Sequence, residues 1–484
     1  MQRLSRNFAW NLLGFGLPVA FAVVAIPALT AQAGLARFGF LSIAWAVIGY
    51  LGFLDLGLSR VFARRVAAAR ARNELTSEAT ILWRGCRYAF VATIVLALAA
   101  ASVPVRWLMG DGGTLSPSEL QVAWWVLLAA LPALVATNLL RGAMEGLEAF
   151  RPVNLMRIGF GTWTFAGPLA VLAFTSSLPW LVFALTAARW VALIMHGAWC
   201  WKHLPRASHE HRASGAELWR AVREGLWVTV TNIVGPVMVV FDRFVLAAVI
   251  GLAAVSAYAI AQEIALRLLM IPAALAIAVF PRQSALSASS ATDAEAGRLT
   301  DRSARVAVAM MVPVAVIGVA AADPVLSLWL GAEVARATAP VLSVALIGVV
   351  LNAAAQIAFG MLQAAGYARA TALLHVAELP LYLLALWFAS SWFGVTGAAA
   401  VWVLRILVDT MAMIWLARRV QPAAFGVRAV IGTFGGAALV LAAVTLSGPL
   451  VGLCAAVAML APVALIRRGE WPIRARARVG SSHE

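Results

Sequence analysis

Charge is the scarcest property of this chain. Only 12% of its 484 residues are charged, against 63% hydrophobic. Soluble domains hold about 25% charged and about 45–50% apolar residues, so a soluble two-domain reading of the length is excluded. Lysine is nearly missing: Lys202 stands alone, and arginine carries the rest of the positive charge. Carboxylates are few, 21 against 37 cations, leaving a net charge of +16. Cysteine occurs three times, at Cys86, Cys200 and Cys454, each within or at the end of an apolar block. The three have no metal-ligand spacing and read as ordinary buried thiols. No Gly-rich loop closing on Lys-Ser or Lys-Thr occurs, which excludes an intrinsic nucleotide-driven motor of that type.

What the chain has is long apolar blocks. A hydrocarbon core of ~30 Å needs about twenty apolar residues to cross it as a helix. Such blocks lie at 8–30, 38–58, 86–108, 120–141, 154–175, 179–200, 224–248, 255–280, 303–328, 338–362, 369–390, 394–417, 427–446 and 448–466. The expected fold is an all-α polytopic membrane protein of about fourteen transmembrane helices. Arg3 and Arg6 before the first block, and Ala31-Gln32-Ala33 after it, imitate a signal peptide. The block is longer than a signal core of 7–15 residues, so it reads as a retained first helix.

Arginine fills alternate connections. One set holds Arg60, Arg64, Arg65, Arg70, Arg72 and Arg84; the next holds Lys202, Arg206, Arg212, Arg220 and Arg223. Arg282, Arg298, Arg302 and Arg305 follow, then Arg418, Arg419 and Arg428, then the tail from Arg467 to Arg478. The intervening connections hold one or two, such as Arg37, Arg106 and Arg336. The positive-inside rule accounts for this pattern with both termini cytoplasmic, and it accounts for the basic balance without a nucleic-acid partner. His203, His209 and His211 fall in one of these basic connections and read as solvated, with no metal site.

A repeat is visible inside the chain. Gly34-Leu-Ala-Arg-Phe-Gly-Phe-Leu-Ser-Ile-Ala44 resembles Gly251-Leu-Ala-Ala-Val-Ser-Ala-Tyr-Ala-Ile-Ala261. At nearly the same offset, Gly142 and Arg151 recur as Gly360 and Arg369, and Arg189 recurs as Arg405. The pattern predicts two parallel six-helix lobes plus two C-terminal helices. The boundaries are 1–200 for the N-lobe, 201–223 for a cytoplasmic loop, 224–420 for the C-lobe, and 421–484 for the last two helices with a basic tail. Lobes related in this way rock about a central cavity in alternating access.

The motifs then resemble a known family. Asn7 through Pro27, Gly34, Gly39, Leu54-Asp55-Leu56-Gly57-Leu58 and an arginine-rich loop resemble the start of bacterial oligosaccharide repeat-unit flippases. Asp242-Arg243, Gly251, Tyr258 and Phe280-Pro281-Arg282 look like that family's middle signature. Leu362-Gln363-Ala364-Ala365-Gly366 and Gly394-Val395-Thr396-Gly397-Ala398-Ala399 are similar to its later helices. The family sits in the multidrug/oligosaccharidyl-lipid/polysaccharide exporter superfamily. The resemblance implies a V-shaped, MATE-like transporter in the bacterial inner membrane. It implies translocation of undecaprenyl-diphosphate-linked oligosaccharide for O-antigen or exopolysaccharide synthesis, with polymerase and glycosyltransferases as partners. The lipid II flippase carries an Arg-Asp pair in its first helix; here that stretch reads Leu12-Leu13-Gly14-Phe15-Gly16-Leu17-Pro18. A multidrug extruder is the main alternative. An enzyme is excluded by the short outer loops, none of which exceeds about fifteen residues by this helix assignment.

Intramembrane ionisable residues are functional candidates by default. Arg189, Arg267 and Arg405 lie near the middle of their predicted helices, and the implied substrate carries a diphosphate that a guanidinium fork grips bidentately. They are the substrate-contact candidates. The structural reading is pairing on one helix face: Glu263 with Arg267, and Asp409 with Arg405. Glu378, one turn from His375, is either the seat of a coupling H+ or Na+ or the neutraliser of a nearby arginine. Asp55, Arg60, Asp242 and Arg243 read as structural. Trp124, Trp125, Trp180, Trp387 and Trp392 read as an interfacial belt. No cofactor other than the coupling ion is expected.

Overall fold

The computed structural model describes residues 18, 20–50, 58–72, 75–109, 114–205, 241–288 and 293–445. Outside them fall the first part of helix one, the Leu54–Gly57 motif, most of the 201–223 loop, the start of helix seven, the block 448–466 and the arginine tail. Among the described residues every regular element is an α-helix. They run α1 Ala20–Ala33, α2 Leu35–Tyr50, α3 Leu58–Arg72, α4 Leu75–Ala101, α5 Val105–Met109, α6 Pro117–Leu128, α7 Leu131–Gly146, α8 Phe150–Leu172 and α9 Leu178–His203. Then come α10 (241–250), α11 Leu252–Leu268, α12 Met270–Ala288, α13 Asp293–Leu330, α14 Ala332–Ala364, α15 Ala368–Val420 and α16 Val427–Thr445. Among the described residues nine helical runs are long and apolar enough to cross a membrane. The chain is therefore an all-α, multi-pass membrane protein.

Several predicted boundaries move, each for a local reason. The block expected as 86–108 begins at Leu75, ends at Ala101 and resumes as α5. Pro104, which has no N–H to give the preceding turn, stands in the gap. The block 120–141 is two helices, α6 and α7, offset at Ala129–Ala130 just ahead of Pro132. The arginine-rich stretch expected as a loop is the helix α3. Two glycines of α7 let α3 lie against it: a Cβ on Gly142 would sit 2.1 Å from the Ser59 carbonyl oxygen, and one on Gly146 would sit 2.5 Å from that of Ala63. Arg65 adds a two-pronged pair to Glu78 on α4, at 2.9 and 3.0 Å.

α15 has 53 residues. Straight, it would measure ~80 Å, more than twice the hydrocarbon core. It turns back at Gly394, whose φ of 60° and ψ of −145° favour a residue without Cβ. Partners then meet about symmetrically across the turn, Tyr382 with Arg405 and His375 with Asp409. The expected helices 369–390 and 394–417 are the two arms of this hairpin.

Packing separates two compact units, Met1–Ala259 and Ile260–Glu484. In the first, α2 crosses α11 at van der Waals distance. A Cβ on Gly39 would stand 1.9 Å from the Leu252 carbonyl oxygen, and Ser256 Oγ donates to the Leu35 carbonyl. Arg243 is among the largest fully buried side chains. It donates to the Ser42 carbonyl, while Asp242 accepts from the Arg243 backbone N–H at 2.7 Å and from Tyr258 OH at 2.8 Å. Arg37 grips Glu119 at 2.9 and 3.1 Å, and the same carboxylate accepts from the Leu178 N–H at 2.9 Å, tying the starts of α2, α6 and α9 together. Cys86 and Cys200 are free thiols buried in one apolar cluster around Phe62, Leu82 and Leu139.

In the second unit, α14 packs between α13 and α15. Thr410 donates to the Leu351 carbonyl at 3.3 Å. Asp301 accepts from the Gly426 N–H at 2.7 Å and from Arg305 at 3.1 Å, which pins the turn before α16.

Candidate substrate and coupling site

The α15 hairpin concentrates ionisable groups inside its own span. His375 and Glu378 stand on the first arm, and Arg405 and Asp409 on the second. His375 Nε2 lies 3.2 Å from Asp409 Oδ1, and its ring stacks 6.1 Å from that of Phe359 on α14. The Arg405 guanidinium carbon lies 5.4 Å above the Tyr382 ring, a cation–π distance. Glu378 is half-buried, and neither carboxylate oxygen meets a hydrogen-bond donor among the described residues. It sits within electrostatic reach of Asp409, His375 and Arg405. Two carboxylates face one guanidinium and one imidazole. Uncompensated charge in a low-dielectric span is costly, which makes this cluster the candidate functional site.

Tyr382 is the member that sequence reasoning did not single out. It lies one helical turn after Glu378 on the same face, and it is one of only five tyrosines in the chain. That spacing was the available signal.

The other candidates stand elsewhere. Arg267 pairs with Glu263 at 3.4 Å on α11, with both side chains about a third exposed. Arg189, in the first unit, donates through Nη2 to Thr164 Oγ1 at 3.2 Å. Its buried Nε meets no acceptor among the described residues. The Thr164 carbonyl accepts from Trp45 Nε1 at 3.1 Å, so a tryptophan and an arginine share one residue of α8. Of the tryptophans expected at the interface, Trp125, Trp180, Trp387 and Trp392 are exposed. Trp124 is buried instead. It donates to the Ala100 carbonyl at 3.3 Å and packs edge-on to Phe244.

A multi-pass helical protein with ionisable groups held inside its spans has the build of a membrane transporter. The comparisons agree. The model described as "Polysaccharide biosynthesis protein" matches residues 4–287, and the MatE model matches 228–388. A Shigella flexneri protein named "Putative O-antigen transporter" is 31% identical over 426 residues, covering 86% of this chain and 97% of the relative. Among solved structures, the lipid II flippase MurJ in an inward closed conformation superposes with a TM-score of 0.70 at 11% identity, over 96% of this chain and 99% of that one. An inward-facing multidrug-resistance MATE family transporter of the MOP superfamily gives 0.63 at 13%, over 85% and 98%. At these identities the structural likeness establishes the fold. The chain belongs to the polysaccharide biosynthesis protein family, and it is not an enzyme.

Proposed function

We propose that this protein flips undecaprenyl-diphosphate-linked oligosaccharide repeat units across the bacterial inner membrane, for O-antigen or exopolysaccharide synthesis. The observation that carries this reading is the 31% identity running through 97% of the Shigella flexneri protein named "Putative O-antigen transporter". Half-buried arginine supports it. Arg189 and Arg405 each stand inside a span, and a diphosphate is the ligand that a guanidinium fork suits best.

Transport is by alternating access of two six-helix repeats, 1–200 and 224–420. Paired backbone geometry at nearly one offset supports the duplication. Gly34 and Gly251 both take positive φ, 86° and 91°. The ends of α7 and α14 close with the same two bonds, Glu148 N–H to Glu145 and Ala149 N–H to Met144 in one, Gly366 N–H to Gln363 and Tyr367 N–H to Leu362 in the other. Both termini are cytoplasmic in this reading; glycosyltransferases act before the flip and polymerase after it. His375, Glu378 and Asp409 take the coupling H+ or Na+. Substrate leaving and ion entering compete through Arg405, whose charge belongs to both groups. Arg267, paired with Glu263, is the third substrate contact.

The test is complementation. A strain lacking its own repeat-unit flippase should regain surface polysaccharide when this chain is expressed with the matching glycan pathway. The MatE match over 228–388 favours a second reading, cation-coupled drug extrusion. Failure to complement, together with efflux of cationic dyes in the same strain, would select that second reading.

A further inference from the structure

Where the second arm of α15 ends and α16 begins, the surface opens into a groove of about 500 Å³. Its apolar wall is Met411, Trp415, Val430 and Phe434, and its rim is Arg418 and Arg419. On α15 the spacing of Met411, Trp415 and Arg418–Arg419 keeps them on one face. Both arginines are exposed in the last helical turn. The Arg419 guanidinium carbon lies 4.5 Å from the Trp415 ring centroid. Neither arginine is in an ion pair or hydrogen bond with another described residue. Two positive charges thus stand without a counter-ion among the described residues at the rim of an apolar slot, one of them over a tryptophan.

We propose that this groove seats one anionic phospholipid of the membrane leaflet that the arginine distribution assigns to the cytoplasm. Charge complementarity selects the occupant. A phosphodiester accepts from both guanidinium forks, while the upper methylenes of the acyl chains lie along Met411, Val430 and Phe434. Tryptophan is suited to the boundary between these two zones. A zwitterionic lipid brings its own cation to the rim and loses the advantage. The groove shares the second arm of α15 with Asp409 of the His375–Glu378–Asp409 cluster.

The experiment uses the full chain purified in a neutral detergent, with native mass spectrometry reading apparent Kd. The probes are phosphatidylglycerol, phosphatidylcholine and undecaprenyl diphosphate. Phosphatidylglycerol is expected to bind more tightly than phosphatidylcholine. R418Q and R419Q should each weaken phosphatidylglycerol about fivefold, and the double variant about 30-fold, taking the usual worth of an arginine near an anionic surface. Binding of phosphatidylcholine should not change. R418K/R419K should retain most of the preference. If the double glutamine variant does not fold, the single variants and the lysine pair carry the test. R369Q, which removes an exposed arginine elsewhere, is the control and should bind as wild type. Equal weakening in R369Q would reduce the effect to bulk surface charge and overturn the site. Displacement of phosphatidylglycerol by equimolar undecaprenyl diphosphate would assign the groove to the carrier lipid and also overturn it. So would equal binding by all variants, which would point to another occupant, such as the chain's own segment after Thr445.

Discussion

The contact of α2 with α11 gives the sharpest structural prediction. Gly39 is replaced by alanine. Its new Cβ would stand 1.9 Å from the Leu252 carbonyl oxygen and 3.2 Å from Ser256 Oγ. A carbon and a carbonyl oxygen rest no closer than about 3.2 Å in ordinary contact, so the two backbones must separate by more than an ångström. No flexible side chain can absorb this, because the obstacle is main chain. The separation also stretches the bond from Ser256 Oγ to the Leu35 carbonyl, which lies in the same crossing. Overpacking costs about 1–3 kcal/mol and the hydrogen bond about 1 kcal/mol, so Gly39→Ala should destabilise the first unit by about 2–4 kcal/mol. The control is Gly49→Ala. Gly49 lies on the same helix, and a Cβ there meets nothing within 4 Å. Alanine should be neutral or stabilise by up to about 1 kcal/mol through helix propensity. Thermal unfolding in detergent, followed by tryptophan fluorescence, measures both variants. Equal midpoints for Gly39→Ala and wild type would refute the close crossing of α2 and α11.

Glu119→Ala removes the acceptor shared by Arg37 and the Leu178 N–H, so it should lower stability by about 2–3 kcal/mol in the same assay. Arg405→Ala should abolish polysaccharide export at normal membrane abundance, with Arg405→Lys restoring part of it, because lysine keeps the charge but not the fork; full export by both Arg189→Ala and Arg405→Ala would place the substrate site elsewhere. Glu378→Gln should remove the response of export to an imposed proton or sodium gradient, read in proteoliposomes, while leaving lipid-linked glycan binding within a few-fold. Reporter fusions at Arg65, Arg302 and Arg419 should report cytoplasm, and one at Glu333 the opposite side; an outer signal at Arg302 would break the orientation.

The membrane class was legible in the sequence because hydrocarbon thickness sets a minimum run of apolar residues, and that run is a linear property of the chain. So were the individual intramembrane charges: Arg189, His375, Glu378, Arg405 and Asp409 stand out against apolar neighbours without any knowledge of packing. The family was legible from the order of weak motifs, and the match over residues 4–287 bears it out. What local pattern could not decide is where a helix breaks. Pro104 and Pro132 end helices that hydropathy alone carries through them, and the arginine-rich α3 is helical because Gly142 and Gly146 on a distant helix offer it a close seat.

The site divides in the same way. Sequence spacing brought Arg405 next to Asp409 and His375 next to Glu378, since residues one turn apart share a helix face. Only the reversal at Gly394 brings those two pairs together, seating His375 on Asp409 and Arg405 over Tyr382. The physical reason is range. Apolar length and i, i+4 neighbours are decided within one helix, whereas a partner across a hairpin depends on one glycine's backbone angles and on the packing of both arms.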